Sequence, residues 1–202
     1  MIVATAIDAT DGYFARAVNV KRVLPEFDGT LLDNLVDFHT YTTLPIFLLW
    51  RAEILPPSLR WLLLLPVLAS AYGYSQTHAK TDDGFFVGFP SLWNVVAFYV
   101  YFLQMPVWAV AAIIAALSVA TFIPTRYLYP SRGGPYGRIL DIVGVVWIGL
   151  TVLVVARPLG ERTPLAWLSL TYPLAYLALS FLVSRRMAVG HRTSPIGRVD
   201  PR

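Results

Sequence analysis

Seven apolar segments follow one another along this 202-residue chain, at about 1–17, 30–50, 59–77, 91–104, 106–124, 139–156 and 164–184. A helix that crosses a bilayer needs roughly 20 apolar residues. A soluble domain buries one core and has no use for seven apolar runs in series. The charge content agrees, because only 14% of residues are charged where a soluble domain carries about 25%. The expected fold is therefore all-α, a polytopic transmembrane helical bundle of about seven spans. One membrane domain covers residues 1–189, and the polar, Gly- and Pro-containing tail 190–202 is expected to be a disordered cytoplasmic segment.

The apolar run from Leu92 to Ile123 is too long for one ordinary span. Pro106 is its natural break, since proline removes a helical hydrogen bond and crowds the preceding turn. Two helices joined by a tight turn are expected there, in place of one long kinked helix. Loop charges test the count independently. With the Arg16–Asp28 loop on the cytoplasmic side, 12 of the 16 Lys and Arg residues fall on that side. Only Arg51, Arg60, Arg157 and Arg162 fall on the other. That bias follows the positive-inside rule. The basic residues are dispersed between apolar runs, so no nucleic-acid footprint is present. The chain has no cysteine, which excludes disulfides and thiolate metal sites. Its N-terminus lacks the pattern of a secretory signal.

Four aspartates lie in or beside the first two apolar segments. Asp8 and Asp11 are three residues apart, and Asp33 and Asp37 are four apart. Each spacing puts its pair on one helical face. A carboxylate within a span costs a few kcal/mol even on lenient insertion scales. Packed antiparallel across the Arg16–Asp28 loop, the two helices can bring the pairs face to face, where four like charges repel. Divalent cations resolve both problems, because carboxylate oxygens suit hard ions such as Mg²⁺ and Mn²⁺. Two ions among four carboxylates is the arrangement used in phosphoryl transfer.

Gly12 and Ala15 keep the first helix slim beside the carboxylates, and Gly29 does the same at the start of the second. Arg16 stands at the helix end, where its planar fork can grip a diphosphate. Taken singly, small residues in membrane helices usually serve packing, and a terminal arginine usually snorkels to the headgroups. An ion-coupled transporter also carries intramembrane aspartates. It often shows inverted repeats, of which this chain has none. It also leaves the Gly12, Ala15, Arg16 and Gly29 pattern unexplained.

The residues Asp8, Asp11-Gly12, Ala15-Arg16, Gly29, Asp33 and Asp37 resemble the signature of the CDP-alcohol phosphatidyltransferase family, with all eight fixed positions matched. The Arg16 to Gly29 spacer holds twelve residues, more than most members have. That longer spacer, with the stretches FDGTLLDNLVDFHTY, AYGYSQ, FFVGFPSLWNVVAFY and FIPTRYLYPS, is similar to the bacterial phosphatidylcholine synthase branch of the family. Members carry a spanning helix before the first aspartate. Here seven residues precede Asp8, so that helix is expected to be missing.

The resemblance implies a bacterial inner-membrane, multi-pass enzyme with its active site facing the cytoplasm and a homodimeric assembly. It implies that Asp8, Asp11 and Asp33 ligate one divalent ion, Mn²⁺ or Mg²⁺, and that Asp8, Asp33 and Asp37 help hold a second. Gly12, Ala15, Arg16 and Gly29 would line the site for the cytidine and diphosphate of CDP-diacylglycerol. Asp37 would be the general base on the hydroxyl of choline. A quaternary ammonium is held by aromatic faces, and Tyr41 and Trp93 are the expected contacts, from a cluster that also holds Tyr72, Tyr74, Phe85, Phe86 and Phe89. Those residues equally fit an interfacial aromatic belt. Arg126 and Arg132 are candidates for a lipid phosphate. Serine, inositol phosphate or glycerol phosphate remain alternative acceptors, since the aspartate signature does not distinguish them.

Overall fold

The computed structural model describes residues 7, 10, 13–76, 81, 85–128, 137–158 and 161–193. Helical residues dominate it. A helical segment at 13–17 and a short turn of helix at Val20–Val23 lead to the first long rod. That rod is made of α1 (Gly29–Phe38), a π-helical turn (His39–Thr43) and α2 (Leu44–Arg51), of 10, 5 and 8 residues in unbroken succession. Its start is set by Asp28, whose carboxylate accepts from the backbone N–H of Thr30 and Leu31 at 3.0 Å each, a side-chain cap on orphan donors. The π turn has a local cause in Pro45. A proline there has no N–H for the Tyr41 carbonyl, and its ring crowds that oxygen. The chain responds by widening one turn, so that the Leu44 N–H reaches back five residues to the His39 carbonyl.

A 3₁₀ helix (Pro57–Leu63) runs directly into α3 (Leu64–Ser75). Strand β1 (Phe85–Val87) precedes α4 (Trp93–Phe102) and α5 (Val107–Ala120). The chain breaks between α4 and α5 at Pro106, as its proline predicts, with Gln104 in the left-handed region at φ 49°. Strand β2 (Arg126–Leu128) pairs antiparallel with β1, Phe85 opposite Leu128 and Val87 opposite Arg126. This small sheet is a detail that the sequence reading did not anticipate within a mostly helical chain. Three-residue strands inside aromatic stretches carry too little alternation to be seen in sequence. Two long helices complete the chain, α6 (Gly137–Ala156) and α7 (Arg162–Thr193). Helix α7 runs past Gly190, into the stretch expected to be a disordered tail.

Two apolar clusters hold these elements. The larger joins α2, the 3₁₀ helix, α4 and α5 through Leu49, Leu62, Leu63, Trp93, Val100, Val110 and Ile114. The smaller joins the sheet to α6 and α7 through Phe85, Leu128, Leu140 and Tyr176. Polar side chains pin α7 to its neighbours. Tyr176 donates to the Leu128 carbonyl at 2.7 Å, and Ser180 Oγ accepts from the Leu128 N–H at 3.2 Å. Tyr99 Oη lies 3.0 Å from Ser169 Oγ and accepts from Trp147 Nε1 at 2.8 Å, tying α4, α6 and α7 together.

Among the described residues, Gly137–Ala156 and Arg162–Arg185 are single helices long and apolar enough to cross a bilayer, and only 17% and 22% of their apolar windows are buried. Ile139, Ile142, Val145 and Val146 lie open on α6. A core helix of a soluble protein would bury such residues, so these surfaces fit contact with lipid. The chain is a membrane protein.

Candidate active site

Helix α1 carries Asp33 and Asp37 one turn apart on one face, both half-buried, with Asp37 Oδ1 shielded from solvent. The π turn begins two residues after Asp37. Such insertions recur at functional sites, because they re-aim the side chains that follow. Tyr41 lies within this turn, half-buried, one helical turn beyond Asp37.

Gly29 opens α1, and a Cβ built on it would meet no described atom within 4 Å. Among the described residues, then, no neighbouring helix approaches closely enough to require the glycine. Ala15 and Arg16 lie exposed in the 13–17 helical segment. Asp8, Asp11 and Gly12 lie outside the described residues, as does Arg132, so the facing of the two aspartate pairs does too.

The far end of α3 stands beside the aspartate helix. Phe38 meets Tyr74 edge to face, with ring centroids 5.9 Å apart and planes at 85°. His39 meets Phe38 in the same manner from the exposed side at 5.8 Å. The other aromatic residues expected near the site sit differently. Trp93 is 1% exposed and donates from Nε1 to Ser70 Oγ at 2.9 Å, with Phe89 against its ring. Phe85 and Phe89 are buried as well, so these three anchor the core. Tyr72 is exposed and packs on Phe122 with centroids 4.7 Å apart. Arg126 is half-buried on β2, its guanidinium carbon 5.9 Å from the Phe85 ring centroid and its backbone N–H donating to Ser184 Oγ at 3.4 Å.

The connection between the sheet and the helices on this side is tight. Gly88 has φ +82°, and a Cβ on it would lie 2.3 Å from the Thr121 carbonyl oxygen. Ser91, buried, is also left-handed at φ 53°. Sequence reasoning missed Phe38, the Asp28 cap and the Gly88 contact. Only Asp28, a cap residue just before an apolar run, carried a local signal.

Two half-buried carboxylates on one helix face are hard oxygen donors, a donor type that fits a hard divalent ion. Among the described residues, no group of three or more acidic or histidine side chains is assembled for a metal.

No protein-family model matches the chain, and no solved structure does. Curated relatives do. The chain is 37% identical over 189 residues to a protein of Legionella bozemanae named phosphatidylcholine synthase, covering 90% of this chain and 87% of the relative. It is 38% identical over 196 residues to the protein of that name in Legionella pneumophila, covering 90% and 74%. Similarity to the Pseudomonas aeruginosa protein of that name is 34% over 157 residues, covering 77% and 66%. With the aspartate pair in place on α1 and this identity along most of both chains, the protein belongs to the phosphatidylcholine synthase family of enzymes.

Proposed function

We propose that this chain transfers the phosphatidyl group of CDP-diacylglycerol to choline, giving phosphatidylcholine and CMP. One observation carries the reading. Asp33 and Asp37 share a half-buried helix face, and at its start no described atom would come within 4 Å of a Cβ on Gly29.

In this reading Asp8, Asp11, Asp33 and Asp37 hold two divalent cations, Mn²⁺ or Mg²⁺. When bound, such ions neutralise charge on the diphosphate and on the departing CMP. Gly12, Ala15 and Gly29 leave room for the cytidine and diphosphate, and Arg16 grips the diphosphate oxygens. Arg126 and Arg132 hold the phosphate of the lipid. Asp37 takes the proton of the choline hydroxyl as its oxygen bonds to the lipid-side phosphorus. The bond from that phosphorus to the CMP oxygen breaks, and CMP leaves with the electron pair. The shielded Oδ1 of Asp37 supports this role, because a base screened from bulk water is spared competition from it. Tyr41, one turn beyond on the same rod, offers an aromatic face to the ammonium. The enclosure of Trp93 favours an indirect contribution, through the packing of α3 against α4.

The enzyme is read as a seven-span, homodimeric protein of the bacterial inner membrane with this site facing the cytoplasm. The rod Gly29–Arg51 supports the span count, since its length is about 35 Å at 1.5 Å per residue. Arg162 lying over the Phe102 ring at 5.6 Å supports the alternation, for it brings the start of α7 to the end of α4.

An acceptor panel in isolated membranes tests the reading. With CDP-diacylglycerol and Mn²⁺, choline should yield product, and removal of divalent ions should abolish it. Product from serine, inositol phosphate or glycerol phosphate with none from choline would reassign the acceptor. Product from none, with ion uptake by sealed vesicles, would favour a transporter.

A further inference from the structure

Four of the six tryptophans are exposed, Trp50, Trp61, Trp108 and Trp167, while Trp93 is buried and Trp147 half-buried. The four stand on four separate elements, and the packing brings them to the end of the bundle away from Asp37. Trp50 is the penultimate residue of α2, thirteen residues beyond Asp37 on the same rod. Trp61 lies in the 3₁₀ helix, which Arg60 ties back to Glu53, just past α2, at 3.0 Å. Trp108 is in the first turn of α5, two residues before Val110, which shares the larger cluster with Leu49 and Leu62. Trp167 is in the second turn of α7. Ser169 of that helix lies 3.0 Å from Tyr99 Oη, and Arg162 covers the Phe102 ring at the end of α4. We infer that these four rings form a girdle seated in the headgroup boundary of the bilayer leaflet opposite the aspartate site. The girdle follows from the membrane setting and holds whichever alcohol the enzyme uses.

The order of side chains along each element carries the argument. On α2 the exposed Leu44, Phe47 and Leu48 come first, then Trp50, then the exposed Arg51 and Glu53. On the 3₁₀ helix and α3 the chain runs the other way, and the order reverses to Arg60, Trp61 and the open Leu64 and Leu68. On α7, Arg162 precedes Trp167, beyond which Leu168 and Leu174 lie open. At α5 the exposed Gln104 precedes Trp108, and Val119 lies open further on. Each element thus passes from a charged or polar group, through an indole, to exposed aliphatic surface. That is the profile of a hydrocarbon boundary, where an indole keeps its ring in apolar surroundings and its N–H among polar groups. A soluble protein partner would need an apolar patch, but not one polarity order repeated on four elements. Trp50 lies about 20 Å from Asp37 at 1.5 Å per residue. With the girdle fixed at one edge of a hydrocarbon core about 30 Å thick, Asp37 is held roughly 10 Å inside the other edge. The girdle therefore sets the depth at which a lipid meets the carboxylates.

Quenching by brominated lipid tests the girdle. The full chain is reconstituted into phosphatidylcholine vesicles whose acyl chains carry bromine either next to the carbonyls or near the bilayer centre. Subtracting the emission of Trp50→Phe, Trp61→Phe, Trp108→Phe or Trp167→Phe from that of the parent isolates each indole. Each of the four should lose more emission to the shallow bromines than to the deep ones. Where a Phe variant does not reconstitute, Trp→Tyr at the same position keeps a ring with a polar edge and serves the same subtraction. A second measurement reads the depth of the aspartate helix. Val36 is exposed on α1 beside Asp37, and the chain has no cysteine, so Val36→Cys takes a single nitroxide. Its collisions with oxygen and with a water-soluble nickel chelate should place it inside the hydrocarbon, nearer the edge away from the tryptophans. Stronger loss of indole emission to the deep bromines would overturn the inference. So would quenching of the four by aqueous acrylamide with none by either lipid, the result expected of a surface kept for a soluble partner. A nitroxide at the same edge as the tryptophans would overturn it too.

Discussion

The indole Nε1 of Trp93 donates to Ser70 Oγ at 2.9 Å, joining α4 to α3 across 23 residues of sequence with both residues sealed from solvent. Trp93→Phe keeps most of the ring and removes the donor, leaving a buried hydroxyl without it. The expected cost is about 1–3 kcal/mol, read as a lower midpoint of thermal unfolding in detergent. The choline requirement should move by no more than about twofold. A larger, choline-selective shift would instead place Trp93 in contact with the ammonium.

Gly29→Leu separates room for a ligand from room for packing. No described atom lies within 4 Å of the added Cβ, and leucine is the better helix former by under 1 kcal/mol. Thermal stability should therefore hold or rise. Activity should fall on the order of 10²-fold, because displacing the reacting groups by about 1 Å costs that much. A variant with parental turnover would show that nothing of the substrate approaches this helix start.

How much of this could be read from the chain alone differs by element. The aspartate face of α1 was legible because a four-residue spacing fixes a helical face whatever the surroundings. The α4–α5 break was legible because proline acts locally. The π turn was not, since a proline inside an apolar segment signals a kink or break, and here the crowding of the Tyr41 carbonyl is relieved by one widened turn inside a continuing rod. The sheet was hidden because its pairing joins Phe85 to Leu128 across the intervening α4 and α5. The sequence offers Trp93 as a choline contact, and only the fold reveals that Ser70 and Phe89 enclose it. Phe38 looked like one more apolar helix residue, and only Tyr74 gives it a perpendicular partner.

Gly88→Ala should fail at the level of folding. The added Cβ would stand 2.3 Å from the Thr121 carbonyl oxygen at a φ of +82°. The unfavourable backbone alone costs about 1–3 kcal/mol, and a rigid carbonyl cannot step aside as a side chain end would. Membrane accumulation and detergent-extracted monodispersity should both drop. Normal accumulation would mean that the β1 turn relaxes more freely than its contacts imply.

Tyr176→Phe removes the 2.7 Å donation to the Leu128 carbonyl and leaves that oxygen buried. A loss of about 1–3 kcal/mol is expected. Hydrogen exchange should rise selectively at the backbone of β1 and β2. Uniform exchange across all helices would mean that α7 does not hold the sheet individually.

The reaction itself is tested most directly by labelled choline incorporation into lipid, with CDP-diacylglycerol and Mn²⁺, in membranes bearing the parent chain or Asp33→Ala at equal abundance. Labelled phosphatidylcholine from the parent and none from Asp33→Ala is the expected result. Product that persists in Asp33→Ala, or a parent that labels no lipid with choline while using another alcohol, would contradict it.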